Sequence, residues 1–122
     1  MVKLSVVIVS YKVRAYVEQC LMSLLRSLRD IDAEVFVVDN NSHDGTVQLI
    51  RSRFPHVKVM DSSHNLGFAR ANNAAIRQST GEYVLLLNPD TIVAEDTIST
   101  VLDFMDAHPQ AGSAGVAMQC VD

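Results

Sequence analysis

A chain of 122 residues, 48% apolar and 20% charged, has the length of one domain with its own core and too much apolar content for disorder. Fourteen Asp and Glu against ten Lys and Arg leave a net charge of −4, and no basic cluster is present. That balance argues against a nucleic-acid partner.

Residues Leu4–Val9 form a short β-branched run that reads as a buried strand. Val13, Tyr16, Val17, Cys20, Leu21, Leu24, Leu25 and Leu28 follow at spacings of three and four and predict a helix with one wide core-facing side. Val35–Val38 reads as a second buried strand ending at Asp39, followed by the polar turn Asn40-Asn41-Ser42-His43-Asp44-Gly45. Val47, Ile50 and Phe54 mark a short helix stopped by Pro55, and Val57–Met60 a brief third strand.

After the loop Asp61–Asn65 and Gly67, the Ala-rich stretch Phe68–Gln78 favours a helix closed by Ser79-Thr80-Gly81. Tyr83–Leu87 is the most apolar run and reads as the most buried strand, broken by Asn88-Pro89-Asp90. Ile98, Val101, Leu102 and Met105 predict a last helix ending before Pro109, and Gly115–Met118 a fifth strand. Strands alternating with helices predict a mostly parallel sheet covered on both faces, a Rossmann-like three-layer α/β/α fold within one domain, residues 1–122.

Cys20 and Cys120 are too few for a disulfide scaffold and read as reduced thiols, and His43, His56, His64 and His108 lack metal-ligand spacing. Val6–Val9 is too short to span a membrane and is not followed by a small-residue cleavage site, so a cytoplasmic protein is expected.

Ligands of open parallel sheets bind at the carboxyl ends of the strands. Ser10-Tyr11-Lys12 leaves the first strand, Asp39-Asn40-Asn41-Ser42 the second, Asp61-Ser62-Ser63 the third and Asn88-Pro89-Asp90-Thr91 the fourth. Three of those exits carry an acid. An acidic rim takes up phosphate when a divalent cation lies between the two, and Mg²⁺ is commonly held by one or two carboxylates plus substrate phosphates. Asp90, approached through the stiff Pro89, is the best placed single ligand. No GxGxxG follows the first strand and no GxxxxGK[ST] occurs, which disfavours a dinucleotide cofactor and a Walker nucleotidase.

Ser10-Tyr11-Lys12, VDNNSHDGT from Val38 to Thr46, NLGFARANNAAI from Asn65 to Ile76 and GEYVLLLNPDT from Gly81 to Thr91 occur in that order. Together they resemble glycosyltransferase family 2, inverting enzymes with the GT-A nucleotide-sugar-binding fold, and DNNS with NPDT resembles its rhamnosyltransferase-like branch. The resemblance implies a UDP- or dTDP-sugar donor, a divalent cation (Mn²⁺ or Mg²⁺) and a saccharide or lipid-linked acceptor. It implies that Ser10 and Tyr11 line the nucleobase end and that Asp39 contacts the base. Asn41 and Asp44 would shape the loop after the second strand, Gly67 would admit the donor closely, and Asn73 closes the third motif. Asp90 would hold the metal.

Three positions depart from the family's pattern. Asn40 and Asn88 stand where Asp is common, and Asn72 where many members carry Arg, leaving Arg70 as the candidate phosphate contact. The acceptor-side base is expected downstream of these motifs, so the chain reads as the donor-binding part of an enzyme, inactive alone, with uncovered apolar surface that favours a homo-oligomer. Two alternative readings stand beside this one: a non-catalytic nucleotide-sugar-binding module, and a receiver-like signalling domain. A receiver needs adjacent acids after the first strand, where this chain has Ser10-Tyr11-Lys12.

Overall fold

The computed structural model describes residues 1–115. Eight elements alternate along them: β1 (Leu4–Ser10), α1 (Arg14–Ser27), β2 (Ala33–Asp39), α2 (Thr46–Arg53), β3 (Lys58–Asp61), α3 (Phe68–Ile76), β4 (Tyr83–Leu87) and α4 (Thr97–Ala107). All four strands are parallel, in the order β3-β2-β1-β4. This is the expected Rossmann-like α/β architecture. The fifth strand expected over Gly115–Met118 falls on residues 116–118, outside the described residues.

The strand order dictates the layers. The chain steps from β1 to β2 to β3 in one direction, and right-handed crossovers then place α1 and α2 on one face. It returns past β2 and β1 to reach β4, so α3 lands on the other face. Side chains along β1 and β2 alternate accordingly. Val6, Ile8, Val35 and Val37 pack with Leu21, Leu24, Ile50, Ile98 and Leu102, whereas Val7, Phe36 and Val38 pack with Ala71 and Ala75 of α3. Leu21 and Leu24 are fully buried, each contributing roughly 1.5–3 kcal/mol by area transfer.

Helix ends follow local chemistry. Phe54 and His108 precede Pro55 and Pro109 and leave the helical region, at φ −129° and −127°, as a residue before proline must. Gly45 begins α2 at φ 84°, and Gly67 begins α3 at φ 79° and ψ 172°, a conformation open essentially to glycine alone.

The structure departs from the sequence-based expectation at β4 and at α1. Among the described residues Tyr83–Leu87 is not the most buried strand: β4 pairs there only with β1, and the residues buried on both faces belong to β1 and β2. Tyr83, Leu85 and Leu87 pack inward, but α3 sits over β1 and β2 and leaves Val84 and Leu86 at 42% and 50% exposure. Among the described residues the sheet is therefore covered on both faces only over its centre. The core side of α1 is also narrower than predicted, because Tyr16 and Leu25 face outward while Ser23 and Ser27 are buried.

The amino edge of the sheet is tied by Glu34, 8% exposed. Its carboxylate accepts from Ser5 Oγ at 2.6 Å, Thr80 N–H at 2.6 Å, Thr80 Oγ1 at 3.1 Å and Lys58 Nζ at 2.9 Å. Burial alone would raise its pKa, but these donors outweigh that cost and hold it down at about 2. Gly81 closes the knot: its N–H donates to Ser5 Oγ at 2.8 Å, and a Cβ there would meet the Ser5 nitrogen at 2.5 Å. These contacts fix where β4 starts, and hence where its far end delivers Asn88-Pro89-Asp90.

Candidate functional site

The carboxyl edge gathers the candidate residues. The topology reverses between β1 and β4, and β2 and β4 flank β1 there. The Asp39 and Asp90 ends thus leave the same edge with one strand between them.

Ser10 and Asp39 are register partners. Ser10 Oγ donates to Asp39 Oδ1 at 2.9 Å, Ser42 Oγ donates to the same oxygen at 2.6 Å, and the Ser42 N–H donates to Oδ2 at 3.1 Å. Asp39 and Ser10 are both buried, 2% and 0% exposed. The Lys12 N–H in turn donates to Ser42 Oγ at 2.8 Å. Asp39 is the buried anchor that gathers the exits of β1 and β2.

The loops so held contain three non-glycine residues in the left-handed region, Lys12 at φ 55°, Asn41 at 64° and His43 at 55°. Such positions cost on the order of 1–3 kcal/mol each and persist where surroundings over-determine them. All three line one open cleft of about 650 Å³, together with Tyr11, Ser42 and Asp44. Asp44 is fixed by the Thr46 N–H, which donates to its Oδ1 at 3.1 Å, and by the Thr46 hydroxyl. Burial would raise the Asp44 carboxyl, and these bonds instead keep it below the usual carboxylate range.

A second cleft, of about 350 Å³, adjoins through Tyr11. Val9, Val13, Asn40, Asn65, Gly67, Phe68 and Pro89 complete its wall. Phe68 lines this cleft while 62% exposed. Pro89 brings the turn after β4 to it, with Asn88 and Asp90 exposed on either side. That turn is pinned from α1. Cys20 Sγ lies 3.7 Å from the Asn88 carbonyl, and the Val93 N–H donates to the buried Ser23 Oγ at 3.0 Å. Burial first, and Asp90 second, push the Cys20 thiol up to about 11, so it stays protonated.

The sequence-derived residues fall into groups. Tyr11 and Asn41 line the first cleft, Tyr11 and Gly67 the second, and Asn88 and Asp90 sit on the turn beside it. Asp39 lies behind the wall, bonded directly to Ser42, and Ser10 lies behind it, bonded to Asp39. Arg70 and Asn73 are exposed on α3 and line neither cleft. Asn40, Ser42 and Ser23 had no assigned role, because their partners are set by tertiary contacts. Among the described residues no three His, Cys, Asp or Glu side chains converge as a metal cage. One exposed carboxylate, Asp90, fits a hard cation completed by substrate phosphates, as Mg²⁺ sites often are.

A parallel α/β sheet with paired clefts at its carboxyl edge and switch point is the architecture of nucleotide-binding enzymes. The chain belongs to glycosyl transferase family 2, whose model matches residues 5–122. It is 34% identical over 92% of its length to N-acetylglucosaminyl-diphospho-decaprenol L-rhamnosyltransferase of Mycobacterium tuberculosis, covering 40% of that protein. It is 31% identical over 88% of its length to the poly(ribitol-phosphate) beta-N-acetylglucosaminyltransferase TarS of Staphylococcus aureus, covering 20% of it. The chain thus spans at most about two fifths of these relatives.

Among solved structures, TarS in complex with UDP-GlcNAc superposes with a TM-score of 0.78 at 30% identity, over 88% of this chain and 32% of that one. A mannosyltransferase from Pyrobaculum calidifontis in complex with GDP-Man and Mn²⁺ gives 0.76 at 27% identity, over 84% of this chain and 32% of that one. The fold is the GT-A type. No helix among the described residues is long and apolar enough to cross a membrane.

Proposed function

We propose that these residues form the donor side of an inverting glycosyltransferase that moves a sugar from a nucleoside diphosphate to an acceptor hydroxyl. The observation that carries this reading is the pair of clefts joined at Tyr11, with Asn41 at one end and Gly67, Pro89 and the Asp90 turn at the other. Tyr11 and Asn41 receive the base, and Ser10 and Asp39 stiffen that wall from behind. Gly67, lacking a Cβ, lets the backbone approach the diphosphate. Arg70 and Asn73, exposed on the following helix and outside both clefts, are assigned to the phosphates from the family resemblance alone.

Asp90, with the Asn88 amide beside it, would hold a divalent cation. When bound, the cation offsets charge on the departing nucleoside diphosphate as a Lewis acid. The relatives named for UDP-GlcNAc complexes, for decaprenol-linked and for poly(ribitol-phosphate) acceptors favour a uracil-type nucleotide and a lipid-linked or polymeric cell-wall saccharide. Transfer is assigned to the whole enzyme, with the acceptor-side base outside the residues described.

Calorimetric titration with UDP and dTDP, with and without Mn²⁺, tests the reading. Saturable binding of at least one nucleotide, tightened by Mn²⁺, is expected. Absence of binding under all four conditions overturns it.

A further inference from the structure

Asn40 immediately follows the buried Asp39, is itself only 3% exposed, and reaches a segment far along the chain. Its Oδ1 accepts from the Leu66 N–H at 3.1 Å, and its Nδ2 donates to the Gly67 carbonyl at 3.3 Å. Its own backbone N–H donates to the Ser10 carbonyl at 2.8 Å. One planar side chain therefore bonds both the Leu66 N–H and the Gly67 carbonyl, while its main chain is bonded to β1.

Leu66 presents a donor and Gly67 an acceptor. Only a group with one acceptor and one donor satisfies both, and the side-chain amide is that group. A carboxylate has the same shape but only acceptors, so it would set negative charge against the Gly67 carbonyl. The Gly67 carbonyl also accepts the Ala71 N–H at 3.2 Å, the first helical bond of α3, and the Gly67 N–H donates to Asn65 Oδ1 at 2.8 Å. Gly67 holds its glycine-only conformation within this set of bonds, and both Asn40 and Gly67 line the cleft that ends at Pro89.

We propose that Asn40 is a positioning residue for the donor site: its side-chain amide, standing where Asp is common in the family, locks the Asn65–Gly67 wall of the phosphate-facing cleft to the end of β1 through one accepted and one donated bond. The proposal rests on the donor-site reading above. It assigns Asn40 no contact with the nucleotide.

The test compares Asn40→Asp, which preserves shape, with Asn40→Ala, which removes both bonds. UDP affinity with Mn²⁺, uridine affinity, and Leu66 amide hydrogen exchange are measured in the intact chain. Loss of both buried bonds predicts that UDP binding weakens about tenfold or more in Asn40→Ala, with uridine binding nearly unchanged and Leu66 exchange raised. Asn40→Asp, which keeps the acceptor for the Leu66 N–H and loses the donor to the Gly67 carbonyl, should fall between Asn40→Ala and the parent. Asn40→Ala matching the parent in UDP affinity, or losing uridine and UDP binding equally, would overturn the proposal. A parent chain that fails to bind UDP overturns the donor reading and the functional role together, while the exchange data then decide independently whether the clamp exists.

Discussion

Ser10 and Asp39 face each other in register across β1 and β2, and their side chains join at 2.9 Å in the buried floor of the carboxyl edge. The Asp39 carboxylate accepts from Ser42 twice more, and Ser42 accepts from the Lys12 N–H, so one carboxylate shapes both loops of the larger cleft. Asp39→Asn turns an acceptor into a donor against these donors. It should cost about 1–3 kcal/mol in urea unfolding and weaken uridine binding even without metal. Uridine affinity equal to the parent's would separate Asp39 from the nucleobase pocket.

The turn bearing Asp90 depends on α1. Ser23→Ala leaves the buried Val93 N–H without its acceptor, a loss of about 1–3 kcal/mol in chemical denaturation. Because Ser23 restrains the turn from behind, Mn²⁺-dependent UDP affinity should fall while uridine affinity holds. Ser23→Thr, which keeps the hydroxyl, should restore part of the Mn²⁺ dependence. Equal loss of uridine and UDP binding in Ser23→Ala would show a general collapse of the site instead.

Acid sensitivity should be centred on Glu34. Its folded pKa of about 2 lies below the unfolded value near 4.5, so its bonds stabilise the fold fully above that unfolded value. As pH falls through this window the unfolded state gains the proton first, and stability drops. Melting temperature measured across this range should decline steeply in the parent. In Glu34→Gln, already destabilised at neutral pH, the slope over the same window should be shallower. An unchanged slope in Glu34→Gln would assign the acid transition to other carboxylates.

The order of strands and helices was legible because β-branched runs of four to seven residues and spacings of three and four report burial directly. Pro55 and Pro109 mark helix ends in the sequence and in space. The rank of each strand in the sheet was not legible. Tyr83–Leu87 is apolar at every position, and only the topology reveals that Val84 and Leu86 lie beyond the cover of α3. At the site, motif positions pointed to Tyr11, Asn41, Gly67 and Asp90. The bonds that hold them, from Asn40 to residues 66–67 and from Ser23 to Val93, span distances in sequence that no local pattern encodes.

The most direct measurement is paramagnetic line broadening by Mn²⁺ in the presence of UDP, read at backbone amides across both edges of the sheet. A donor site at the carboxyl edge predicts the strongest broadening at Asn88, Asp90, Thr91 and Gly67, none at Glu34 or Thr80 on the amino edge, and its disappearance in Asp90→Ala. Broadening centred on the amino edge, or unchanged by Asp90→Ala, would contradict it.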